Sequence, residues 1–526
     1  MKTILKRNSH ILLFISIIIA LSAYMVYWGT QKNGFHIDEM YSLMDVRGGG
    51  LNRPHYTQGF YDTWFDASEL ESTIVVTEEN AFTYSIRRPR HPFFILLHTA
   101  YSFYPGVFSV WPSVVMNIIL FIAALIVLYK LSLLFIDNKH LALLPPLVWG
   151  VSSAAINLVV FIRHYMLFTL LCLSLTYIVF IATKSSFSKW WHIASILLIS
   201  FLGILTHQYF LVYAFFLSAF TCVYLLITKQ FKPFIKFTVP MIVAISLYQF
   251  IAGGYFARLY AATGRLGDAL EILRHGDGRF LHRINRHLEI VSETVFGNIS
   301  SFLVVLLLLV LVATVYFFKM KNEVKLRDFF KEPNVGLWLI MVGSCLFYFL
   351  MIAKIAPFHT IPPYLDFRYI SNITPFIMLL LISLLVNSFK TLGLKSNLIL
   401  FALISIPLTV LLTANIKDYY LYRNDSNIDE ALSHHYHLPV VHISDDVWRT
   451  ASSYWHFFEF ENQILFATIQ ELDMDIILQN PFEDGLLLVA PLPRDNALIP
   501  MLKDKLDLYN YTFVTYLQRH VVYILE

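Results

Sequence analysis

Apolar residues in this chain come in long, nearly unbroken runs rather than in the two- or three-residue rhythm of a soluble domain. A helix needs about 20 apolar residues to cross a bilayer. About eleven stretches meet or approach that length: 10–28, 107–129, 141–161, 165–183, 191–206, 208–227, 238–254, 296–318, 335–353, 369–388 and 397–415. The polar segments between them are unequal. Most are short, but 29–106 and 255–295 are long, 354–368 is intermediate, and 416–526 forms a tail. In the tail, short apolar runs at 438–443, 486–490 and 513–517 alternate with a helix-like stretch at 498–508. The pattern predicts a polytopic α-helical membrane protein of about 11 transmembrane helices over residues 1–415. A small extracytoplasmic α/β domain over 416–526 follows it.

The lysines orient this arrangement. Lys2 and Lys6 precede the first run, and alternate loops carry Lys130 with Lys139, Lys184 with Lys189, Lys229 with Lys232 and Lys236, a cluster over 319–331, and Lys390 with Lys395. All fall on one side, which the positive-inside bias makes cytoplasmic. The N-terminus is then cytoplasmic and the C-terminus outside, and residues 1–28 read as an uncleaved first helix. The other face carries arginine instead, including Arg47, Arg88, Arg90, Arg163, Arg283, Arg286 and Arg368. Arginine suits a bidentate grip on phosphate. Long loops also escape the charge bias, and some of these arginines have Asp268, Glu271, Glu289 or Glu293 near enough in sequence to pair with.

Composition agrees and removes other classes. The chain is 57% hydrophobic and 14% charged, against about 25% charged in a soluble domain. A net charge of +3 gives no ground for nucleic-acid binding. Cys172, Cys222 and Cys345 lie inside apolar runs, without the spacing of a disulfide framework or zinc site. His434, His435, His437 and His442, with Asp445 and Asp446, form the one patch with metal-ligating residue types. Such scattered histidines are more often solvated or hydrogen-bonded, and no metal is expected there.

Four polar stretches could carry chemistry. Asp38 and Glu39, flanked by His36 and Tyr41, stand where the first helix leaves the bilayer. A carboxylate can act as general base toward a hydroxyl, and a second acid beside it favours the proton-accepting role near neutrality. Adjacent residues point in different directions, so Asp38 is taken as the base, with Glu39 orienting a backbone or cationic group. Arg88, Arg90 and His91 precede an apolar turn and could hold a phosphate or anchor to anionic headgroups. Arg163-His164-Tyr165 and Thr206-His207-Gln208-Tyr209 occupy loops too short to leave the membrane face. They could line a cavity or serve as interfacial turns.

Together these residues resemble those of the GT-C membrane glycosyltransferases, which take sugars from polyprenyl-phosphate carriers and include the protein O-mannosyltransferases and lipid A aminoarabinose transferases. The likeness rests on Asp38-Glu39 after the first helix, His91-Pro92-Phe93 leading to His98, Arg163-His164-Tyr165, Thr206-His207, and Arg368-Tyr369 followed by Pro375. It covers residues 10–415 and not the tail. Phe93 stands where the family's His-Pro-Pro segment has its second proline, and 163–171 lacks the acid that some relatives carry. The resemblance implies a GT-C fold and inverting transfer of a sugar from a polyprenyl-phosphate donor to an acceptor hydroxyl on a lipid, glycan or protein. Asp38 and Glu39 would be catalytic. Arg88, Arg90, His91, Arg163, His207, Arg368 and Tyr41 would bind substrate, the aromatic ring by stacking on the sugar together with Tyr56, Tyr61 or Trp64. No cofactor is implied, although a divalent cation bridging Asp38 and phosphate stays open. The expected setting is a bacterial inner membrane with the site facing outward. The main alternative is a transporter or flippase of an anionic lipid. It would use the same arginines but tends toward mid-membrane breaks and internal symmetry.

Overall fold

A computed structural model describes residues 9–32, 34–46, 64–66, 91–105, 109–252, 278, 280–298, 333–356, 367–391, 396–413, 416, 420, 425–444, 454–457, 460–468, 485–491, 510–517 and 520–525. In chain order the helices are α1 Ser9–Thr30, α2 Ile37–Val46, α3 Pro92–Tyr101, α4 Trp111–Ser132, α5 Leu144–Gly150, α6 Ser153–Val160, α7 Tyr165–Lys184 and α8 Trp190–Thr206. They continue with α9 Gln208–Ile227, α10 Phe231–Ala252, α11 Phe280–Phe296, α12 Pro333–Ile355, α13 Thr374–Thr391, α14 Asn397–Thr413 and α15 Asp425–Ser433. Seven of the described helices are long and apolar enough to cross a membrane, or eight if a bent pair counts as one span. This is a multi-pass membrane protein. The 296–318 run lies outside the described residues beyond 298; every other run predicted to span carries helix.

Two of those runs differ from single straight spans. The 141–161 run is a 3-10 turn, Leu141–Leu143, followed by α5 and α6, which bend by 59° at a short break. The break has a local cause. Ser152 is extended, with φ −74° and ψ 151°, and its side chain caps α6 by accepting the Ala155 N–H. The 369–388 run starts with a 3-10 turn, Ser371–Ile373, before α13. Within the long polar segment 255–295, the described part from residue 280 onward belongs to the amphipathic helix α11.

The chain forms two compact units, one of residues 1–28, 90–93 and 117–421, the other of 29–89, 94–116 and 422–526. In the first, α7 packs on α8, α8 on α10, and α9 on α12. The α9–α12 contact needs glycine. A Cβ at Gly343 would lie 2.7 Å from the Phe220 ring, and one at Gly336 would run into the Tyr224 ring. Without a side chain these two α12 positions let the backbone approach closely, which supplies much of the packing available inside a bilayer.

The second unit carries a six-stranded sheet. Its strands are β1 Trp64–Phe65, β2 Val440–Ser444, β3 Ile464–Thr468, β4 Leu486–Pro491, β5 Tyr511–Leu517 and β6 His520–Leu525, in the order β1-β3-β2-β4-β6-β5. Strand β2 runs parallel to β3 and β4, and the other pairings are antiparallel. All six residues of β4 are buried, as its continuous apolar run requires of a central strand. The strand predicted at 438–443 starts at Val440, and β3, β6 and β1 add to the three read from apolar runs. Strand β1 comes from the segment before α3, with Trp64 opposite Leu465 and Phe65 opposite Ile464. The 498–508 helix lies outside the described residues.

Candidate functional site

The acidic motif opens α2 in the second unit. His36 is the capping residue: its carbonyl accepts the Glu39 and Met40 N–H groups at 2.8 and 3.2 Å. Its ring Nδ1 accepts the Asp38 N–H at 3.1 Å. Glu39, three residues on, reaches back to accept the His36 N–H at 2.7 Å. This is the reciprocal arrangement of a capping box, with imidazole in place of the usual hydroxyl. Glu39 is also the acid of a buried ion pair. Lys32 Nζ donates to its two oxygens at 2.9 and 3.1 Å, and both side chains are fully buried. The ammonium also lies 4.7 Å from the centre of the Phe35 ring. Glu39 is thereby engaged by a cation and a helix terminus, whereas the Asp38 side chain keeps 17% exposure, with its Oδ2 3.8 Å from His36 Nδ1. Tyr41 lies partly exposed on the same helix. The far end of α2 is held by His98 on α3, whose Nδ1–H donates to the Val46 carbonyl at 2.6 Å.

The first unit brings the other motifs together. Asn117 on α4 donates to the Val159 and Phe161 carbonyls at 2.9 and 3.1 Å, so α6 ends and the chain turns through Arg163 and His164 into α7. His207, extended at φ −158° between α8 and α9, caps α9 by accepting the Tyr209 N–H on Nδ1 at 3.0 Å. The His164 ring centre is 4.6 Å from that of His207 and 5.4 Å from that of His91. Phe93 and Tyr165 wall it at 6.1 and 4.6 Å. Arg368 is buried, donates from Nη2 to the Tyr369 hydroxyl at 3.0 Å, and lies 4.9 Å over that ring. Tyr369 is fixed in turn by Tyr348, whose hydroxyl donates to its carbonyl at 2.8 Å.

Electrostatically this group of residues is one-sided. Burial first, then His207, Arg163, His91 and Arg368, hold the His164 imidazole well below its ordinary pKa, so it is neutral at physiological pH. Neither ring nitrogen of His164 has a hydrogen-bond partner among the described residues, although the side chain is only 7% exposed. Two guanidinium groups and three imidazoles gathered in this way suit an anion.

No family model and no curated protein matches the chain. Among solved structures it is similar to ArnT from Cupriavidus metallidurans bound to undecaprenyl phosphate, at 10% identity over 98% of each chain and a TM-score of 0.46. It is also similar to the archaeal oligosaccharyltransferase AglB from Archaeoglobus fulgidus in complex with an inhibitory peptide and a dolichol-phosphate. There the identity is 11% over 98% of this chain and 74% of the other, with a TM-score of 0.44. Each TM-score is below 0.5, so the functional reading rests on the side chains themselves.

Of the other singled-out residues, Arg88, Arg90, Tyr56, Tyr61, Asp445 and Asp446 lie outside the described residues. Arg283 caps α12 by donating to the Lys354 and Ala356 carbonyls at 3.1 and 2.9 Å, and Arg286 pairs with Glu289 at 3.7 Å. His442 is buried in β2, its ring 4.6 Å from that of His520, and no group of three metal-ligating side chains occurs among the described residues. Trp64 lies in the sheet. Lys32, the partner of Glu39, is a residue that the motif reading passed over. It is the sole lysine in 29–106, a segment whose other basic side chains are arginine and histidine, and that was the available signal.

Proposed function

We propose that this protein is a membrane glycosyltransferase that moves a sugar from a polyprenyl-phosphate carrier to an acceptor hydroxyl outside the cytoplasm, with inversion at the anomeric carbon. The observation that carries the reading is the convergence of His91, Arg163, His164, His207 and Arg368 on one buried locus of a multi-pass membrane protein. A glycosyl phosphate leaves with charge developing on its phosphate oxygens, and preorganised cationic donors stabilise that charge. Such a leaving group needs little protonation. The acceptor hydroxyl needs a base, the role given to Asp38, while Glu39 holds the start of α2 through Lys32 and the His36 N–H.

The test is transfer of label in membranes expressing the protein, using pooled radiolabelled polyprenyl-phosphate sugars. Native protein should label an acceptor, and Asp38→Asn should reduce transfer about 100- to 10,000-fold while inserting normally. Equal transfer by both removes Asp38 as base. The break between α5 and α6 is of the kind seen in transporters, and it keeps an anionic-lipid flippase as the second reading. Labelled lipid crossing the bilayer with no product formed would favour that reading.

A further inference from the structure

Building on the phosphate reading above, we propose that His164 takes up a proton as the donor phosphate enters, so that donor and proton bind together. The groups facing this imidazole come from four parts of the chain. They are His91 and Phe93 at the start of α3, Arg163 and Tyr165 beside it, His207 at the start of α9, and Arg368 ahead of α13. Burial first, and then the charges of His207, Arg163, His91 and Arg368, keep the proton off His164 before phosphate binds. A phosphate anion reverses the sign of that field, because an opposite charge within a few ångströms favours the protonated imidazole.

Geometry selects His164 among the three histidines. Protonating His207 at Nδ1 would break the bond it accepts from the Tyr209 N–H and uncap α9. His91 is the less buried ring. At His164 neither nitrogen is committed to a hydrogen bond among the described residues, so an added proton creates a second N–H donor at no cost to an existing one. The consequence is a donor affinity that rises as pH falls, by up to about tenfold per pH unit, until the empty site itself protonates.

The test is calorimetric titration of the full chain in detergent with undecaprenyl methyl phosphate. This diester stays a monoanion across the range and cannot contribute a proton of its own. Titrations at pH 6.5 in two buffers of different ionisation heat count the protons exchanged. Native protein should take up close to one proton per bound diester. His164→Gln should bind more weakly and take up none, and His207→Gln should keep the uptake. Binding by native protein without uptake overturns the proposal whether or not any variant folds, as does uptake that persists in His164→Gln. Failure of the native protein to bind the diester at all would instead remove the phosphate site on which the proposal stands.

Discussion

At the start of α2, two adjacent carboxylates have unlike surroundings. Glu39 is locked between an ammonium and a backbone N–H, and Asp38 keeps a partly exposed carboxylate. Removing one member of a buried ion pair strands the other charge, so Lys32→Met should lower the unfolding stability of its unit by about 3–5 kcal/mol. Lys32→Met with Glu39→Met should cost less than the sum of the single changes, the remainder reflecting the lost cap on His36. Thermal unfolding of all three variants in one detergent checks this, and strict additivity would show that the pair is not coupled. The acidic motif was legible from residue types and its place after a helix. The Lys32 contact was not, because a pairing seven residues apart depends on how the intervening turn closes. The same holds for His164: four motifs were each visible in the sequence, but their meeting at one ring is a product of tertiary packing.

Elements show the same division. Apolar run length located the helices, since a bilayer leaves few other ways to satisfy a backbone. The 59° bend did not show in run length, because Leu141 to Val160 is apolar on both sides of the Ser152 cap. Arg283, one of the arginines whose type alone left phosphate binding and acid pairing both open, donates to the carbonyls at the end of α12, a role that arginine performs with the same donors. In the sheet, burial and then the neighbouring His520 push the His442 imidazole well below its ordinary value of 6.5. With the native value lowered, the unfolded chain binds the proton first. The stability of the sheet is therefore level above about pH 6.5 and declines as pH falls below it. His442→Gln should flatten that decline in a series of denaturation midpoints from pH 8 to 5, and an unchanged slope would place the titrating group elsewhere.

For the whole molecule, composition and lysine distribution carried the reading furthest. A chain this apolar must enter a membrane, and the bias of lysine to alternate loops is the physical basis for the orientation expected of it. Alkaline phosphatase fused after Glu526 should be active in a bacterial host, and the same enzyme fused after Lys229 should be inactive. The reverse pattern would put the Asp38 motif in the cytoplasm and end the proposed use of an outward-facing donor.

Strand β1 also has a bearing on the order of events during synthesis. Trp64 and Phe65 emerge early but pair with Leu465 and Ile464, made some four hundred residues later, beyond the last described membrane-length helix. This edge of the sheet cannot form until the tail has been made and delivered to the same side of the bilayer. The unit holding Asp38 thus gains this pairing only after a segment some four hundred residues further along has left the ribosome. A chain stalled before residue 464 would already display both carboxylates, yet lack the strand on which β1 is built.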